Sequence, residues 1–93
     1  MNVELQDSFL QKLNRQVAYI AADKPQAARK FKQDILKRVK KLGAHPYQCK
    51  KSIYYDDKAI RDMVFKGYVV VYKVDEKKKL LTAFGLIKFE ETL

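Results

Sequence analysis

Ninety-three residues, 47% of them hydrophobic, with only three Gly and two Pro, make one small packed domain; the chain is too short for two separate cores and too apolar to stay disordered. Twenty Lys and Arg against eleven Asp and Glu give a net charge of +9, a field that draws polyanions and acidic proteins but does not bear on the fold. One cysteine, Cys49, excludes an internal disulfide and fits a reducing compartment. Met1 to Ser8 lack the basic-then-apolar order of a secretory leader, and uncharged runs such as 67–72 and 80–87 fall far short of the roughly 20 residues that span a bilayer. The expectation is a soluble cytoplasmic protein with no membrane partner.

In chain order, Asn2 to Leu5 is a short candidate strand. Leu10, Leu13, Val17 and Ile20 then recur at helical spacing, and Ser8 with Gln11 three residues on has the pattern of a capping box that starts the helix. Asp23-Lys24-Pro25 breaks that helix and opens a second, since proline is tolerated in a first turn. Ala28, Phe31, Ile35, Val39 and Leu42 form the buried face of the second helix, with Gly43 as its stop. So short a connection makes the two helices an antiparallel hairpin.

Periodicity vanishes at Ala44, and the stretch to Lys58 reads as a loop of about 15 residues, a length associated with function, in which a short strand could hide. Ile60 to Phe65, Tyr68 to Val74 and Leu80 to Phe89 are strands, joined by turns at Lys66-Gly67 and Asp75 to Lys78. The fold class is therefore α+β, in the order β-α-α-β-β-β: an N-terminal helical hairpin packed on a small antiparallel sheet, the whole of 1–93 forming one domain. On the second meander strand, Tyr68, Val70, Tyr72 and Val74 point to one side and Val69, Val71 and Lys73 to the other. Both sides are mostly apolar, so the face away from the helices needs a cover, either a second chain or the C-terminal tail.

The positive charge is concentrated. Residues 1–28 are neutral and 52–93 carry +1, whereas 29–51 hold nine basic residues against Asp34 alone, a net of +8. Arg29, Lys30, Lys37, Arg38, Lys41, Lys50 and Lys51 are the candidate partner-binding residues on this segment, whose alternative role is a solvated helix face. Without interleaved aromatics the segment is poorly suited to stacking on single-stranded bases.

Catalytic signals are sparse. One His and one Cys give no zinc-ligand spacing, so no metal is expected. Three scattered glycines make no phosphate loop and no cofactor is expected. His45 and Cys49 lack an orienting carboxylate, and Asp56-Asp57 reads as turn chemistry. Arg61 and Lys88 stand out as cations in strands otherwise poor in basic residues; with Lys73, Tyr54 and Tyr55 they are weak candidates for an active site. For Arg61, packing of its stem on the sheet is the competing structural role.

Several stretches together resemble the RelE/ParE superfamily of type II toxin–antitoxin toxins. They are Val17-Ala18-Tyr19-Ile20-Ala21, Asp23-Lys24-Pro25-Gln26-Ala27-Ala28 with Phe31, Ile60-Arg61-Asp62, Gly67 through Asp75, and Phe84-Gly85-Leu86-Ile87-Lys88. RelE-like members are ribosome-dependent mRNA endonucleases that use basic side chains on the meander. In this sequence the two lysines of the first meander strand are matched by Ile60 and Asp62, the arginine after the Tyr68 position by Val69, and the arginine just beyond Gly85 by Ile87. Nor does His45 lie where histidine-using members place theirs. Ile, Val and one Asp cannot run acid–base chemistry on a ribose.

The resemblance therefore favours the ParE-like, plasmid-stabilisation branch. It implies a toxin that binds a cellular target, DNA gyrase in that branch, and is neutralised by a cognate antitoxin whose acidic or amphipathic segment wraps the toxin, as a hetero-oligomer or alongside a homodimer. Two alternatives stand beside it: an mRNA endonuclease on the ribosome with an unorthodox basic site, and a plain nucleic-acid-binding module without toxicity.

Overall fold

A computed structural model describes residues 1–89 and gives β1 (Asn2–Leu5), α1 (Asp7–Ala21), α2 (Pro25–Lys41), β2 (Ile60–Phe65), β3 (Tyr68–Asp75) and β4 (Leu80–Lys88). The α+β architecture is the expected one: two helices cover one face of a four-stranded sheet of order β1-β4-β3-β2. The meander β2-β3-β4 is antiparallel, but β1 pairs parallel to β4, so the sheet is mixed. The helices explain why. From the end of β1, α1 advances along β4: Ser8 Oγ donates to the Phe84 carbonyl at 2.9 Å, and the Lys88 ammonium lies over the Tyr19 ring. The second helix brings the chain back to the start of β1, where the Met1 amino group donates to the Gly43 carbonyl at 3.1 Å. β2 thus sets out from the same end as β1, and two hairpin reversals leave β4 parallel to β1.

Three expectations about the helices need correction. Ser8 does not cap α1: the helix begins at Asp7 behind Gln6 with no side-chain cap, because the Ser8 hydroxyl is engaged by β4. The deepest residues of α1 are Phe9 and Leu13, while Leu10, Val17 and Ile20 are only partly buried, so the face is rotated toward a residue that the periodic series passed over. Gly43 does follow the end of α2 as the expected stop, but not with a left-handed φ, so the reason for glycine is different. A Cβ there would sit 2.5 Å from the Met1 carbonyl oxygen, so glycine is required by the close approach of β1. The face of α2 is as expected: Ala28, Phe31, Ile35, Val39 and Leu42 are all buried. Pro25 occupies its first turn, where its missing N–H costs no helical bond.

The main core lies between helices and sheet. Phe9, Leu13, Phe31, Ile35, Val39 and Leu42 meet Met63, Phe65, Tyr68, Val70, Tyr72, Val74, Leu81 and Leu86. The hairpin between β2 and β3 turns on Lys66 (φ 46°) and Gly67 (φ 81°), two consecutive left-handed residues whose twist matches that of the flanking strands.

The second face of the sheet is also apolar, as its alternation implies: Ile60, Val69 and Val71 are buried there against Phe84 and Ile87. No partner is needed for that. The loop between α2 and β2 folds back over the sheet and covers part of this face itself. Its short hidden strand is a single bridge, Lys51 opposite Arg61, with Ser52 N–H donating to Ile60 at 2.8 Å and Asp62 N–H to Lys50 at 3.1 Å. A register shift beside Val71 leaves Phe84 as an extra residue on β4, and the Tyr55 ring meets it edge-on at 5.6 Å. The tail that the sequence offered as an alternative cover, residues 90–93, lies outside the described residues.

Candidate functional site

The loop that crosses the sheet is held by two side chains. Arg61 stands on the helix-facing side of β2 at the sheet edge. Its Nη1 donates to the Cys49 carbonyl at 2.9 Å, its Nε to the Lys58 carbonyl at 3.1 Å, and its guanidinium plane lies 4.9 Å from the centre of the Tyr47 ring. Tyr72, wholly buried, donates its hydroxyl to the Pro46 carbonyl at 2.8 Å. Burial, helped by the neighbouring Cys49, pushes its phenol well above the ordinary value of 10.0. Together these contacts fix both ends of the loop, and Arg61 contributes two of its donors, Nε and Nη1, to holding it.

The remaining active-site candidates do not converge. Lys88 is on the helix-facing side, opposite Tyr68, whereas Arg61 is opposite Tyr72; four residues of β3 separate them, about 13 Å along the strand. Lys73 projects from the other face, between Ile60 and Thr82, and is exposed. Tyr54 and Tyr55 sit on the loop over that same outer face, both partly exposed. The five therefore lie on two sides of the sheet. Among the described residues no three His, Cys, Asp or Glu side chains gather as a metal site would require.

Four of the seven basic candidates share a surface. Lys30, Lys37, Arg38 and Lys41 run along the flank of α2 nearest β2: Arg38 lies 5.5 Å from the Phe65 ring centre, and Asp34, the segment's lone acid, pairs with Lys30 at 3.3 Å and with Lys66 of the β2–β3 turn at 3.9 Å. Arg29 is exposed on the outer side of the helix, away from this flank. Lys50 and Lys51 lie on the loop beside β2, with Lys51 reaching Asp56 at 3.2 Å. The α2 flank alone is thus a cationic strip with a single carboxylate, Asp34, in it.

Two concave sites escaped the sequence reading. One, of about 200 Å³, is lined by Lys12, Arg15, Gln16, Leu86 and Lys88, where the middle of α1 meets the end of β4. Its only signal was the three-residue spacing of Lys12 and Arg15, which places them on one helix face within a segment of zero net charge. The other, of about 490 Å³, is a groove on the outer face of the sheet between the loop and β2, lined by Ile53, Tyr54, Asp62, Val64, Val69 and Phe89 among others. The sequence marked the apolar outer face with Val69, and Tyr54 as a candidate, but not the groove itself, because the loop that forms its wall has no periodicity.

The fold is a two-layer α+β module with a cationic flank on α2. The family model of the ParE toxin of type II toxin–antitoxin systems, parDE, matches residues 3–86, and the chain belongs to that family. The fold is also that of a solved structure described as the chromosomal ParDE TA system from P. aeruginosa, with a TM-score of 0.80, 17% sequence identity and 97% of each chain covered. No curated protein matches the sequence. The assignment to the ParE-like branch, made from the residues that replace the nuclease set, therefore holds.

Proposed function

We propose that this chain is the toxin of a two-protein system, that it inhibits growth by binding a macromolecular target, DNA gyrase, without cleaving RNA, and that an acidic antitoxin neutralises it. The observation that carries the reading is the dispersal of Arg61, Lys73, Lys88, Tyr54 and Tyr55 over two faces of the sheet, with Arg61 Nε and Nη1 engaged in holding the loop. General acid–base chemistry needs its groups within hydrogen-bond reach of one reacting centre. A binding toxin needs only a surface, and the +8 segment supplies one with a long-range field.

The test is a supercoiling reaction with purified gyrase, scored for lost supercoiling and for trapped double-strand breaks. Inhibition by a stoichiometric amount supports the reading; no effect at large excess overturns the choice of gyrase. One observation favours a second reading, RNA cleavage on the ribosome: Lys12, Arg15 and Lys88 line a common cavity in which a phosphate would be well placed. Ribosome-bound mRNA cut by the wild type and spared by Lys88→Ala would establish it.

A further inference from the structure

Every polar side chain around the cavity between α1 and β4 has only donors to offer. Lys12, Arg15 and Gln16 come from one face of α1, and Lys88 comes from β4 with Leu86 beside it. Ammonium and guanidinium groups have no acceptor atom. Gln16 has one, Oε1, but the Tyr68 hydroxyl already donates to it at 3.2 Å, which leaves the amide hydrogens of Gln16 for a ligand.

The three cations are also uncompensated. Among the described residues the ion pairs join Lys30 and Lys66 to Asp34, and Lys51 to Asp56; none involves Lys12, Arg15 or Lys88. Residues 1–28 carry no net charge, yet their acids lie elsewhere: Glu4 on β1, Asp7 in the first turn of α1 and Asp23 between the helices. The cluster is therefore separate from the +8 segment. Its strand member is held in place by the Tyr19 ring, whose centre lies 5.5 Å from the Lys88 ammonium.

Size and shape narrow the ligand. About 200 Å³ is below the roughly 300 Å³ at which pockets begin to hold a drug-sized molecule whole, so the cavity takes one charged group of something larger. Donors arriving from a helix and from a strand suit the oxygens of a tetrahedral phosphate, which accept in several directions, better than a planar carboxylate. No aromatic ring lines the cavity, so bases stay outside and only a backbone is held.

We propose that this cavity binds a backbone phosphate of double-stranded DNA, held by Lys12, Arg15, Lys88 and the Gln16 amide, without cutting it. Contact confined to the phosphate makes the binding independent of base sequence. The choice of DNA rests on the gyrase reading above, since gyrase acts on duplex DNA; the phosphate site rests on the cavity itself.

The experiment measures fluorescence anisotropy of a labelled DNA duplex with the full-length protein, without gyrase, across a salt series. Arg15→Gln and Lys88→Gln are compared with Lys77→Gln, an equal loss of charge on the exposed turn at the other end of β4. Thermal melting should be unchanged in all three. Binding should weaken about tenfold in each cavity variant and less than about twofold in Lys77→Gln, and the slope of log affinity against log salt should fall by about 0.9 in the cavity variants. Inorganic phosphate alone should shift the side-chain amide resonances of Gln16.

Equal losses in all three variants would reduce the binding to the general field and overturn the proposal, as would a wild type with no DNA affinity at low salt. Displacement of the duplex by polyglutamate as readily as by unlabelled DNA overturns the choice of phosphate. Tighter binding of a single strand or of an RNA duplex overturns the choice of double-stranded DNA. Ribosome-bound mRNA cut by the wild type and spared by Lys88→Ala makes the cavity catalytic and overturns it too. Gyrase inhibition is read separately: a protein that inhibits gyrase but ignores DNA sinks this proposal alone, and one that binds DNA through the cavity but spares gyrase sinks only the gyrase reading.

Discussion

The two faces of β3 carry nearly the same kind of side chain and have different fates. Tyr68, Val70, Tyr72 and Val74 are sealed under two helices with 15 and 17 residues, as part of one continuous core. Val69 and Val71, one residue out of phase, are buried by strand neighbours and by a loop tethered through Arg61, Tyr72 and a single bridge. Helices contribute whole apolar faces, so they close a surface completely. A loop contributes scattered side chains, so it leaves gaps, and the outer groove is one of them. The fold is held on the first face, and the open groove is on the second.

The sharpest way to break that contrast is to cut into each face in turn. Ile35→Ala removes a fully buried side chain from the helix side and is expected to cost about 2–5 kcal/mol in urea denaturation. A loss under 1 kcal/mol would mean that the helices do not carry the fold. Next in size is Arg61→Ala, which releases two carbonyls of the loop; with hydrogen bonds to a charged donor lost, about 1.5–3 kcal/mol is expected, with proteolysis falling between residues 44 and 58 while the helices stay protected. Loss of RNA cleavage in this variant without any change in loop protection would instead make Arg61 a catalytic group.

Tyr72→Phe removes one buried hydrogen bond and is expected to cost about 1 kcal/mol at neutral pH. Its pH dependence has a definite sign. The folded phenol is held above the unfolded value of 10.0, so its contribution is complete below pH 10 and declines as pH rises past it, when only the unfolded chain gains by ionising. Wild-type stability should therefore fall above pH 10 more steeply than that of the Phe variant. In absorbance titration one of the six tyrosines should ionise only on unfolding. The smallest effect belongs to Ile53→Ser: at 81% exposure it should leave stability within about 0.5 kcal/mol. A larger loss would show that the outer loop is part of the core.

How legible this was in the sequence follows from where periodicity exists. The helix α2 was readable residue by residue because its five apolar positions recur on one face and nothing else in the molecule competes for them. At α1 the reading missed Phe9 and misassigned Ser8, since both are set by contact with β4 about 75 residues away, which no local pattern reports. The strands and the Lys66-Gly67 turn were plain from β-branched runs and a left-handed pair. Of the candidate site, the charge of 29–51 was legible and its geometry was not: α2 places Lys30, Lys37, Arg38 and Lys41 on one flank, Arg29 on another, and Lys50 and Lys51 across the sheet edge.

By itself the sequence determined the layers, the order of elements and the single basic segment, because composition and short-range spacing are local properties; that the nuclease side chains are replaced followed from the resemblance to the superfamily. Tertiary structure alone decided that β1 lies parallel to β4, that Gly43 yields to Met1, that Arg61 holds a loop, and that a groove opens beside a half-paired edge. Each of those depends on which distant backbone arrives at a given place, and the path of two helices out and back along the sheet sets that arrival.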